Sequence, residues 1–75
     1  MRIGAHETIL IEMGHRIREA RHLRGLTQER VAELSDFGKA RISRLEAGFI
    51  NPTMSTLKRI ADVLDISVSE LLKKP

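Results

Sequence analysis

The sequence predicts an all-α domain of five short helices, and three observations carry that prediction. Apolar residues recur at helical spacing, most plainly Leu57, Ile60, Ala61 and Leu64 at i, i+3, i+4 and i+7. No segment holds the sustained alternation of a half-buried strand. Residues that start and stop helices punctuate the chain at short intervals, among them Gly25, Thr27, Thr53 and Ser67.

Taken in order, the first helix carries Met13, Ile17 and Ala20 on one side and stops at Gly25, a residue suited to the left-handed conformation. Thr27 opens the second, "QERVAELS", with a hydroxyl that can accept from the free amides of its first turn. This helix turns Val31, Ala32 and Ser35 inward. A tight "SDF" leads to the third helix, "KARISRLEA". The loop "GFINP" ends at Pro52, and Thr53 caps a fourth helix with the clearest apolar stripe in the chain. "SVSELL" reads as a capping box, Ser67 to Glu70, leading a fifth helix with Val68, Leu71 and Leu72. Before Gly14 stands an extension over residues 1–13. Ile9, Met13 and Ile17 continue one stripe, which would lengthen the first helix, whereas "TILIEM" also suits a strand or an arm. Residues 14–75 form the domain proper.

Composition narrows the function. Seventy-five residues make one small domain that buries roughly 60 to 65% of its unfolded surface. With two phenylalanines as its only aromatics and no cysteine, the chain has no disulfides or thiolate metal site, so helix packing must hold it together. Thirteen Lys and Arg against ten Asp and Glu leave a net charge of +3, which only hints at a polyanionic partner. No apolar run approaches a membrane span, and Glu7 and Glu12 interrupt what would be the core of a signal peptide. The expectation is a cytosolic, unprocessed protein. His15, Glu19 and His22 share one helix face, but four arginines crowd that helix and no fourth ligand is apparent. They read as surface groups, with no metal or other cofactor expected. Without a cysteine nucleophile, a glycine-rich phosphate loop or a Ser-His-Asp set, an enzyme is not expected either.

The third helix is the informative element. Projected at ~100° per residue, Ile42 and Leu45 fall together toward the core. The opposite face then holds Ala40, Ser43, Arg44 and Ala47, flanked near its start by Lys39 and Arg41. Small side chains alternate with cations there, whereas an ordinary solvated face mixes Glu with Lys. Such a face lets a backbone come close to something negative. The major groove of DNA is ~12 Å wide, is walled by phosphates and presents two acceptors on each guanine edge.

Beyond the helix itself, "LTQERVAELSDFGKARISRLEAGFINPTMSTLKRIADVLDISVSELL" resembles the helix-turn-helix domain of the lambda repressor and Cro type, the XRE family. The likeness spans about Gly14 to Leu72. It rests on Thr27 with Gln28, Ala32, the "ISRLEAG" ending, "NP" before the fourth helix and the closing "SVSELL". The resemblance implies that the second and third helices form the binding unit on double-stranded DNA, with the third in the major groove. It further implies base reading by Gln28, Lys39, Ala40, Arg41 and Arg44, and phosphate contacts by Thr27, Ser43 and Asn51. Arg21 and Glu46 match a pair that links the first helix to the end of the third. Gly38 departs from the family pattern, standing where Ser or Thr usually caps the recognition helix, and Asp36 replaces a glycine common in the turn.

The expected function is that of a dimeric, sequence-specific transcriptional regulator, an autoregulatory repressor on a palindromic operator, with small repressors, restriction-modification controllers and antitoxins as its kin. Phe49, Ile50, Val68, Leu71 and Leu72 are the expected homodimer surface, because the C-terminal apolar residues exceed what one small core absorbs. The rival reading is an antitoxin or docking module whose main partner is a toxin or other regulatory protein.

Overall fold

Helix boundaries follow from local chemistry at both ends. The computed structural model describes residues 5–72, which form α1 (Ala5–Leu23), α2 (Gln28–Ser35), α3 (Lys39–Ala47), α4 (Met54–Leu64) and α5 (Val68–Leu71). Thr27 Oγ1 accepts from the Arg30 amide at 3.0 Å, Thr53 Oγ1 from the Thr56 amide at 3.2 Å and Ser67 Oγ from the Glu70 amide at 3.2 Å. Each satisfies one of the orphan donors that a helix start leaves free. Among the helix starts whose preceding residue is described, only that of α3, after Gly38, has no side-chain cap. Left-handed residues close the other ends of α2, α3 and α4, with φ of 62° at Asp36, 80° at Gly48 and 58° at Asp65. Asp36 therefore adopts the turn conformation that glycine commonly supplies, and its amide bonds back to Ala32 and Glu33.

The buried stripes converge on one core: Met13 and Ile17 from α1, Val31 and Ala32 from α2, Ile42 and Leu45 from α3, Leu57, Ile60, Ala61 and Leu64 from α4. α3 packs against both α1 and α2, α2 also against α4, and α5 closes the far side on α1 and α4. Ser35 is buried at the end of α2, where its hydroxyl donates to the Val31 carbonyl at 2.7 Å. Residues 5–13 are helical and run unbroken into the rest of α1, although Ile9 stays half exposed.

One expectation fails here. Leu71 is not available to a second subunit, because it is 1% exposed and completes the protomer's own core. α5 turns only Leu71 fully inward and leaves Val68 partly buried, while Leu72, just past its end, is exposed, a division that so short a helix does not disclose in sequence.

Two glycines set how closely α1 approaches the end of α3. A Cβ on Gly14 would stand 2.5 Å from the Glu46 carbonyl oxygen and 2.6 Å from that of Leu45. On Gly48 it would meet the Ile11 Cα at 3.0 Å. Helix propensity alone favours Gly14→Ala by about 1 kcal/mol. Backbone cannot yield as a flexible side chain does, so overpacking costing about 1 to 3 kcal/mol should outweigh that gain. Gly14→Ala is thus expected to lower the melting temperature, and a rise in a thermal melt would show that α1 and α3 separate freely.

Candidate nucleic-acid interface

A buried ion pair fixes the third helix. The Arg21 guanidinium grips Glu46 with two bonds, Nε to Oε2 at 2.6 Å and Nη2 to Oε1 at 2.9 Å, and its Nη1 donates to the Leu26 carbonyl at 2.9 Å. Both side chains are less than a tenth exposed. Gln28 joins them, its Nε2 donating to Glu46 Oε1 at 3.1 Å. The Glu46 carboxylate thereby ties α1 and the first residue of α2 to the last turn of α3, and Arg21 adds the loop into α2. The hydrogen bonds that Arg21 donates to Glu46 raise its pKa, against the opposing effect of burial, so the guanidinium stays charged at any working pH.

On the far side of α3 from this pair, Lys39, Ala40, Arg41, Ser43, Arg44 and Ala47 are all exposed, while Ile42 and Leu45 are fully buried. The three cations are in three different states. Lys39 Nζ lies 3.0 Å from a carboxylate oxygen of Glu29 on α2. The Arg41 guanidinium lies over the Phe37 ring, 4.7 Å from its centroid. Arg44 has neither an acid nor a ring beside it among the described residues. Ala40 and Ala47 flank it on the outward face, where they leave the helix backbone open to close approach.

Of the remaining expected site residues, Thr27 and Asn51 are exposed at the starts of α2 and the loop before α4. Gln28 is partly buried, with one amide end committed to Glu46. Phe49 is 81% exposed, so it fills no gap in its own protomer, and Ile50 packs partly against the core.

Three neighbours of the cations carry no mark in the sequence reading. Glu29 and Arg59 reach this surface from other helices, and only the fold brings them there. Phe37 precedes Arg41 by one helical turn, a spacing that would have exposed the pair had the ring been weighed as a partner rather than as a turn residue. Arg59, from α4, lies over the same ring at 4.9 Å and donates to the Ser35 carbonyl at 3.3 Å.

The frame and the face generate separate tests. Glu46→Ala leaves a buried guanidinium without a counter-charge, an effect worth about 3 to 5 kcal/mol. Against a total of about 4 to 11 kcal/mol for a domain this size, much of the population should unfold in a denaturant titration. Arg21→Met combined with Glu46→Leu should recover most of that loss, since apolar replacement of a whole buried pair is often neutral. Failure to recover would mean that the pair contributes packing an apolar pair lacks. On the face, the hydrogen bond from Lys39 holds the Glu29 carboxyl below its usual range. A depressed folded pKa gives stability that is present above the ordinary carboxylate value and lost as pH falls through the folded one. Lys39→Ala should move the Glu29 titration, followed by NMR, upward toward the ordinary carboxylate range, and no movement would show the pair to be absent in solution.

Comparison with known proteins places this geometry. Residues 17–71 match the HTH_3 helix-turn-helix family. The HTH-type transcriptional regulator PuuR of Escherichia coli (strain K12) is 39% identical over 62 residues, 83% of this chain but 34% of PuuR, so the chain spans about a third of that relative's length. The restriction-modification controller protein C.AhdI from Aeromonas hydrophila superposes with a TM-score of 0.85 at 34% identity, covering 91% of this chain and 99% of C.AhdI. The biofilm regulator SinR, solved in complex with DNA, superposes with a TM-score of 0.78 at 32% identity over 81% of this chain and 98% of that one. SinR has also been solved with the SinI protein, and in that complex it matches at a TM-score of 0.79 and 32% identity over 83% of this chain and 61% of that one. With its α2–turn–α3 unit, its Arg21–Glu46 brace and this match over most of its length, the chain belongs to the HTH_3 family of helix-turn-helix proteins.

Proposed function

We propose that the protein is a transcriptional regulator that binds double-stranded DNA as a homodimer, reads the major groove of a palindromic operator with α3, and represses its own gene. The observation that carries this reading is the outward face of α3, where three cations and small residues stand opposite two fully buried apolar anchors. Among the cations, Arg44 is the base reader. Its five donors have no partner among the described residues, and a planar fork can bridge the O6 and N7 of a guanine. Lys39, Ala40 and Arg41 lie at the end that enters the groove first. Gln28 meets a phosphate and a base edge, whereas Thr27, Ser43 and Asn51 hold phosphates and so fix register rather than sequence. The uncommitted end of the Gln28 amide and the free amides at the start of α2 favour an anion.

Phe49 and Leu72 are the exposed apolar groups on which a second copy would seat, with Ile50 and Val68 beside them. Two recognition helices would then lie about 34 Å apart, one turn of DNA, on half-sites ~10 base pairs centre to centre. The exposure of Phe49 also suits a regulatory protein partner, a toxin among them, as SinI partners SinR.

Binding to the DNA upstream of the protein's own gene separates these readings. A selective mobility shift with a footprint over two half-sites is the expected result. Arg44→Ala should cost about 1 to 3 kcal/mol on that DNA and relax the preference at one base pair. Arg44→Lys should keep most affinity for scrambled DNA and lose discrimination. Equal losses on both DNAs would reduce α3 to an electrostatic anchor, and no shift at moderate salt would favour the protein partner.

A further inference from the structure

We propose that Arg41, Arg59 and Phe37 form a clamp for one phosphodiester of the DNA backbone, which extends the interface from the helix-turn-helix unit onto α4. The proposal rests on the DNA-binding reading above. Two guanidiniums, one from α3 and one from α4, lie 4.7 and 4.9 Å from the centroid of a single ring. Neither forms an ion pair among the described residues. Asp36, the residue before Phe37, pairs with neither. Two cations that share one ring, with no carboxylate paired to either among the described residues, make a place that an anion stabilises, and a phosphodiester is such an anion. A guanidinium has five N–H donors and the ring accepts no conventional hydrogen bond, so a cation held over it keeps donors for another partner. Arg59 spends one donor on the Ser35 carbonyl at 3.3 Å, which anchors the side chain at the end of α2 and leaves its other N–H groups available.

The neighbouring start of α3 points the same way. Gly38 contributes no capping oxygen, and the space a Cβ would occupy there is empty to 4 Å. The first amides of this nine-residue helix therefore stand uncapped beside the ring, with the positive end of the helix dipole toward the same place. In this arrangement Arg41 and Arg59 supply charge, and Phe37 is a positioning residue that keeps them in place.

The test measures binding of a 30-base-pair duplex of scrambled sequence, and of the upstream DNA, across a series of salt concentrations. Arg59→Gln should weaken binding to both duplexes about 10-fold and make the slope of log K against log salt shallower by about one. Phe37→Leu retains both charges, so it should leave the slope unchanged and weaken binding about 2- to 5-fold. Thermal melts of both variants separate folding from binding. If Arg59→Gln lowered the melting temperature but left affinity and slope intact, Arg59 would be only a staple for the end of α2, and the clamp would be wrong. An unchanged affinity in a folded Phe37→Leu variant would remove the ring's role. A wild-type chain that bound neither duplex at low salt would overturn the DNA reading itself, and the clamp with it.

Discussion

The orientation of α3 depends on one buried carboxylate. Glu46 accepts both arms of the Arg21 fork and the amide of Gln28, so the helix with the cationic face cannot tilt without breaking bonds to α1 and α2 together. Desolvating two charges in so small a core is expensive, and an apolar pair of similar volume would hold the domain together about as well. What an apolar pair lacks is direction. The guanidinium and carboxylate planes must align to make two bonds, and this alignment defines an angle between helices that greasy contacts leave soft. The backbone contacts at Gly14 and Gly48 act on the same joint, setting distance where the ion pair sets rotation.

That division explains which parts of the molecule were legible in the sequence. Caps at Thr27, Thr53 and Ser67, and the inward set Val31, Ala32 and Ser35, depend on chemistry within one or two turns, and the structure has them where the spacing put them. The projection of α3 worked for the same reason, since Ile42 and Leu45 leave a single choice of inward side. The Arg21–Glu46 pair came only through family resemblance, because no local pattern joins residues on separate helices. Leu71 was misassigned because amphipathic spacing reports that a side chain seeks burial, not whose core buries it. Glu29 and Arg59 were overlooked on the same ground, each meeting its cationic or aromatic partner only after the helices pack.

The charge pattern gains meaning from those contacts that sequence does not show. Lys39, Arg41 and Arg44 look equivalent as letters, yet one is paired with a carboxylate, one lies over a ring and one has no partner among the described residues. A free long side chain loses up to about 2 kcal/mol of rotamer entropy when it is fixed. That loss is worthwhile only where the contact formed is strong and directional, as a bidentate bond to a base edge is. A cation already stacked has surrendered much of its freedom in the unbound protein, so it can meet a phosphate at any sequence with little further loss. Lys39 differs again, because its carboxylate partner must be displaced or must share it before a phosphate gains its full charge. On the proposed reading, the α3 face is therefore graded, with the restrained cation serving affinity and the unrestrained one serving discrimination. The small residues Ala40 and Ala47 make that grading usable, because they let the helix backbone come near enough for the free arginine to reach a base rather than stop at the phosphate wall.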